Sequence, residues 1–323
     1  FFIWSVVNLI LRYNGYPLIK EFSIVALLII TTILWAFSFS FYGEYLAGHV
    51  DSYFAVLVRV GLAALVFLPF LRTRGNSLKT VGLYMLVGAM QLGVMYMLSF
   101  RAYLYLTVSE LLLFTVLTPL YITLIYDIMS KRRLRWGYAF SALLAVIGAG
   151  IIRYDQVTDH FWTGLLLVQL SNITFAIGMV GYKRLMETRP MPQHNAFAWF
   201  YLGAFLVAVI AWFLLGNAQK MPQTTLQWGI LVFLGVVASG IGYFMWNYGA
   251  TQVDAGTLGI MNNMHVSAGL LVNLAIWHQQ PHWPTFITGA LVILASLWVH
   301  RKWVAPRSSQ TADDRRRDCA LSE

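Results

Sequence analysis

The stretch TTILWAFSFSFYGEYL (residues 31–46) lies without gaps over SNITFAIGMVGYKRLM (residues 171–186), matching Ile33 with Ile173, Ala36 with Ala176 and Tyr42 with Tyr182. Residues 93–118 lie in the same way over 240–265 and pair Tyr96 with Tyr243. The chain therefore repeats itself, and the copies differ in the charge that follows them. Glu44, His49 and Asp51 come after the first, whereas Lys183, Arg184 and Arg189 come after the second. Cytoplasmic loops of membrane proteins collect Lys and Arg. A repeat with an odd number of spans puts equivalent loops on opposite sides of a bilayer, so the charge reversal predicts an inverted repeat. Many secondary transporters are built this way, with the substrate site between the halves.

Composition points to the same class. Of 323 residues, 59% are hydrophobic and 11% charged, against roughly 25% charged in a soluble domain. The net charge of +9 is spread over short clusters between apolar runs, not along one face, which excludes a nucleic-acid interface. Cys319 is the single cysteine and sits in a polar tail, so no disulfide framework and no cysteine metal site is expected. No cofactor is expected either.

Apolar runs near the roughly 20 residues that a bilayer helix needs occur at about 24–43, 53–71, 80–100, 103–128, 136–152, 162–182, 195–215, 227–249, 255–276 and 285–303. The expected fold is an all-α membrane protein of ten transmembrane helices, arranged as two inverted five-helix repeats at 25–152 and 162–303. Residues 1–24 begin with Phe1 and are read as a non-native extension, with Val25 as the natural start; 304–323 are read as a disordered cytoplasmic tail. The loops RTRGNSLK (72–79), KRRLR (131–135) and KRLMETR (183–189) are basic, while HVDSY (49–53), RYDQVTDH (153–160), GNAQKMPQTT (216–225) and WHQQPHWP (277–284) are poor in Lys and Arg. That alternation predicts a multi-pass protein of the bacterial cytoplasmic membrane with both ends of the ten-helix core inside. Gly235, Ser239 and Gly242, at i, i+4 and i+7, read as a close helix–helix packing stripe.

The segments LWAFSF (34–39), TPLYITLI (118–125), WGYAFSALLAVIGAGII (136–152), GIGYFMWNYGATQVDAGTLGIMNNMHVSAGLL (240–271) and PTFITGALVILASLWV (284–299) resemble the drug/metabolite transporter superfamily, in particular its EamA-type repeat. The likeness covers roughly 25–303. It implies a secondary transporter of small organic solutes, with the lipid bilayer as its medium. Members of that family usually carry a Glu closing the fourth and ninth helices; here the fourth ends with Asp127 and the ninth at WHQQ, with Gln279 near that place. The string is also closely similar to the enterobacterial biotin-importing members of the family, and biotin as the substrate is implied by that resemblance alone.

Charges inside membrane spans are costly and mark function. Arg59 lies about six residues into the second span and Glu110 about six into the fourth. At 1.5 Å per residue both sit roughly 9 Å below the outer surface, a depth that permits an ion pair. Arg59 is read as the anchor of an anionic group with Glu110 as counter-ion or proton acceptor, as half of a structural pair, or as a side chain that snorkels to the outer interface; proton coupling stays open. His265 falls near the midplane of the ninth span, with Asn262 three residues earlier on its face. On the first span Thr31, Trp35, Ser38 and Tyr42 form one aromatic and polar stripe that reads as cavity-lining, with Gln169, Asn172 and Ala176 as its counterpart on the sixth. Gln91 and Tyr96 in the third span, and Trp246 and Asn247 in the eighth, complete the candidate substrate site.

Aromatic walls with few polar anchors suit a small amphipathic solute. If the solute is biotin, Arg59 holds its carboxylate, Asn and Tyr groups meet its ureido ring, and Trp35 and Phe39 flank its apolar chain. An exporter of amino acids or other amphipathic metabolites on the same fold is the alternative. No span carries paired carboxylates, a His cluster or a nucleophile elbow, so an enzyme is not expected. The string G-x-x-x-x-G-K-[ST] is missing too, which excludes an ATPase motor in this chain.

Overall fold

The computed structural model describes residues 17–73, 75, 77–129, 140, 143–144, 147–148, 151, 159–252, 255–278 and 283–303. Residues 1–16, the basic stretch 131–135, most of the expected fifth span, Gln279 and the tail from 304 lie outside them. The regular elements among the described residues are all helical.

Helix α1 spans Pro17–Phe41, and nothing from Ile24 to Tyr42 is charged, Gly or Pro. It continues as a π-helical turn, Tyr42–Leu46. Helix α2 (Ser52–Phe67) starts where the Asp51 carboxylate accepts the backbone N–H groups of Tyr53 and Phe54, both at 2.9 Å, satisfying donors that a helix N-terminus leaves open. The third span is α3 (Leu78–Gly88), a π segment Ala89–Val94, and α4 (Met95–Ala102). The fourth is broken into α5 (Val108–Thr115) and α6 (Thr118–Met129), since Pro119 has no N–H to carry the ladder across the joint.

In the second half come α7 (Asp159–Thr188) and α8 (Gln193–Leu215). They are followed by α9 (Thr225–Val232), a π segment Phe233–Ile241, and α10 (Gly242–Ala250). The last two helices are α11 (Ala255–Trp277) and α12 (Trp283–Trp303). Among the described residues, seven stretches are long and apolar enough to cross a membrane: Ala26–Leu46, Ser52–Phe70, Leu78–Ala102, Val108–Met129, His160–Thr188, Gln193–Leu215 and Thr225–Ala250. They coincide with the first four expected spans and the sixth to eighth, while the expected ninth and tenth fall on α11 and α12. The protein is an all-α membrane protein.

Packing follows the sequence repeat. The first span lies on the eighth and ninth, and its counterpart, the sixth, lies on the third and fourth. The second packs on the seventh and eighth, and the seventh on the second and third. Exchanging the halves maps this set of pairings onto itself, the second with the seventh being its own mate. Tyr96 and Tyr243, equivalent in sequence, meet edge-on with ring centroids 5.8 Å apart, as residues beside the exchange axis must. The π segments of the third and eighth spans also overlap in the repeat alignment, 89–94 falling on 236–241. The π turn at Tyr42–Leu46 has no such mate, since α7 stays α-helical through the equivalent positions.

The third and seventh spans cross at reciprocal glycines. A Cβ on Gly88 would run into the Phe200 carbonyl, and one on Gly203 into the Met85 carbonyl. Small residues that let backbones touch in this way substitute for the hydrophobic drive that membrane helices lack.

Candidate functional site

Where the spans converge, a cavity enclosing about 630 Å³ of space, its open mouth included, is lined from the first, second, third, fourth, sixth, eighth and ninth spans. Among the described residues, Arg59 is the only charged one lining it, and it is buried at 3% exposure. Its Nε donates to Ser239 Oγ at 2.5 Å and its Nη2 to Ser38 Oγ at 3.0 Å. The guanidinium carbon sits 4.1 Å from the Tyr96 ring centroid and 5.5 Å from that of Phe100, a stacking that delocalised Arg favours. Ser239 belongs to the π segment of the eighth span, and it also shares a 2.9 Å hydrogen bond with Tyr96 Oη. The extra residue of a π turn re-aims side chains, which is why such segments collect at functional sites.

Arg59 and Glu110 do not form the pair that their matched depth permitted. The Glu110 carboxylate turns back to the start of α5, accepting the Thr107 backbone N–H and hydroxyl, both at 2.9 Å, while Thr107 Oγ1 accepts the Glu110 N–H. This is a reciprocal capping box, and it holds Glu110 on its own helix and off the cavity wall. Depth along a helix fixes one coordinate and says nothing of the direction in which a side chain leaves it.

Of the residues singled out from the sequence, Trp35, Ser38, Tyr42, Arg59, Tyr96, Asn172 and Asn262 line the cavity, whereas Thr31, Gln169 and Ala176, expected on the same stripes, do not. Tyr42 stacks on Phe100 at 3.6 Å between centroids. Gln91 and Asn247 lie beyond the lining, bound to each other: Gln91 Nε2 donates to Asn247 Oδ1 at 3.0 Å and Asn247 Nδ2 to Gln91 Oε1 at 3.3 Å. Both are fully buried. Trp246 stands behind Trp35, ring centroids 5.0 Å apart, as a second layer of the wall. His265 lies on α11, but its side chain is outside the described residues.

Several residues at the cavity were not singled out from the sequence, among them Phe100, Tyr103, Ser171, Tyr243 and Ser239. Tyr243 carried a signal as the repeat mate of Tyr96. The stripe of Gly235, Ser239 and Gly242 does pack closely, with Gly235 against Leu62 and Gly242 against Trp35. Its middle member additionally orients the guanidinium.

Comparison with known proteins matches residues 22–154 and again 162–301 to the EamA-like transporter family. A biotin transporter of Salmonella typhimurium is 91% identical over 298 residues, covering 92% of this chain and all of that protein. A probable biotin transporter of Pseudomonas aeruginosa is 54% identical over 276 residues, 85% of this chain and 96% of that one. A solved crystal structure with 18% sequence identity superimposes with a TM-score of 0.61 over 86% of this chain and 96% of its own, and so shares the fold. With both halves matched and relatives this similar along nearly their whole length, the chain belongs to the EamA-like transporter family.

Proposed function

We propose that this chain takes up biotin across the bacterial cytoplasmic membrane as a secondary transporter, its two halves rocking about the Arg59 cavity. The near-identity to the Salmonella biotin transporter carries the substrate. The cavity supports where that substrate sits. A guanidinium offers five N–H donors; Ser239 and Ser38 take one each, which leaves the fork with donors to turn toward an incoming carboxylate. Trp35, Phe39 and Tyr96 supply apolar faces for the bicyclic ring and chain. The ten-span inverted arrangement with both ends of its core cytoplasmic belongs to this proposal, as do proton coupling and the lack of enzymatic activity.

Cells that cannot make biotin and lack their own importer test the reading. Supplied with this chain, they are expected to grow at a lower biotin concentration, an advantage lost when the proton gradient is collapsed. An unchanged biotin requirement, with the protein present in the membrane, contradicts biotin uptake and promotes the exporter alternative. An advantage that survives collapse of the gradient removes only the proton coupling.

A further inference from the structure

The polar groups around the cavity are nearly all tied back onto the protein. Trp35 Nε1 donates to the Ala238 carbonyl at 3.0 Å and Tyr103 Oη to the Phe39 carbonyl at 3.1 Å. Asn172 Nδ2 serves the Phe114 carbonyl at 3.1 Å and Gln169 Oε1 at 3.4 Å, using both its hydrogens. The hydroxyls of Thr115, Thr118 and Ser171 donate to backbone carbonyls at 2.9, 2.6 and 3.1 Å. Gln169 Nε2 and Trp246 Nε1, behind the lining, have no partner among the described residues, and on the cavity wall itself Asn262 breaks the pattern. It lines the cavity at 1% exposure, and among the described residues its Nδ2 has no hydrogen-bond partner. A buried amide donor left unsatisfied is costly and calls for an explanation.

We propose that Asn262 is the specificity residue for the ureido end of the substrate, its Nδ2 donating to the ureido carbonyl oxygen. This rests on the reading of the chain as a biotin transporter. The cavity then has two poles of different chemistry, the Arg59 cation on the second span for a carboxylate and a neutral donor on the ninth span for a urea-type acceptor. Because the ninth span packs on the first and fourth, a solute held at both poles bridges elements of the two halves. The solute class is an anion carrying a neutral carbonyl acceptor at its far end. Sites that hydrogen-bond a substrate group reject analogues lacking it far more strongly than apolar pockets do.

Two ligand analogues and one near-isosteric variant test this. In 2-iminobiotin the ureido oxygen is replaced by an imino nitrogen, and the ring is a guanidinium-like cation near neutral pH, with donors and no acceptor. Wild-type uptake of labelled biotin is measured first, and its absence would overturn the transporter reading itself. Given wild-type uptake, 2-iminobiotin is expected to compete at least tenfold less well than unlabelled biotin. 2-Thiobiotin, whose sulfur is a weak acceptor, is expected to fall between them. Asn262→Asp removes the donor and adds a carboxylate, so it is expected to lower biotin uptake roughly tenfold or more and to reverse the preference in favour of 2-iminobiotin. Should the variant fail to reach the membrane, the wild-type competition series still decides. Equal competition by biotin, 2-thiobiotin and 2-iminobiotin, or an Asn262→Asp protein that keeps the wild-type ranking, would overturn the assignment and leave that amide to a water molecule.

Discussion

A charged side chain at the centre of a membrane helix costs roughly 2.5–3.5 kcal/mol on insertion scales. Arg59 meets that cost with two serine hydroxyls and two aromatic faces, all neutral. In the proposed function, the carboxylate of biotin completes what these partners leave undone. Arg59→Ala is therefore expected to reduce biotin uptake by tenfold or more at unchanged membrane abundance, while Arg59→Lys, which keeps the charge but loses the fork and the stacking, retains an intermediate rate. Biotin methyl ester and biotin amide are expected to compete poorly with biotin in the wild type, since neither brings an anion to the guanidinium. Ser239→Ala leaves the Arg59 Nε–H buried without its acceptor, a loss of order 1–3 kcal/mol, and should weaken apparent biotin affinity about tenfold. Uptake titrations on the three variants measure all of this. Arg59 could be read from the chain because a charge in an apolar run stands out. Ser239 could not, since a serine between glycines looks like packing until its partner is placed opposite. Glu110 was misread although its signature was present: Thr107 three residues before it is the spacing of a capping box, a local rule that outranks a match in depth.

Among the elements, the first four spans and the sixth to eighth were readable from apolar run length, because a bilayer imposes a length on any helix that crosses it. The π segments were not readable. They change the hydrogen-bond register over a few residues without altering hydropathy, yet they carry Gln91 and Ser239. The break in the fourth span follows from Pro119, but where each half-helix points depends on the helices packed around it. The Gln91–Asn247 amide pair joins the third span to the eighth, one from each half, and makes a test of element-level coupling. Gln91→Leu strands a buried amide and is expected to destabilise the protein by about 1–3 kcal/mol. The double variant Gln91→Leu with Asn247→Leu removes both polar partners and should recover much of that loss. Thermal denaturation in detergent on the wild type, both single variants and the double variant measures the coupling. Additive losses would mean the pair contributes nothing beyond its parts. Gly88→Leu, placed where α3 and α8 touch backbone to backbone, is expected to abolish assembly outright, read as loss of the monodisperse protein peak.

For the whole molecule, the internal repeat was readable because individual segments of the two halves align without gaps, and the exchange-symmetric packing is its three-dimensional expression. Orientation in the bilayer rests on the Lys and Arg distribution. It predicts Lys79 on the cytoplasmic side and Asp159 outside. In a Cys319→Ser background, a cysteine at 159 should react with a membrane-impermeant thiol reagent from outside, and one at 79 only after the cells are opened. Labelling of position 159 only from inside would overturn the inverted arrangement. The proposed route of the solute, between halves and past Arg59, is tested most directly with the purified protein in liposomes and labelled biotin. Saturable biotin entry that depends on the protein and falls at least tenfold in Arg59→Ala liposomes of equal protein content is the expected result. Biotin flux no faster than in protein-free liposomes, or an Arg59→Ala protein that moves biotin at the wild-type rate, would contradict it.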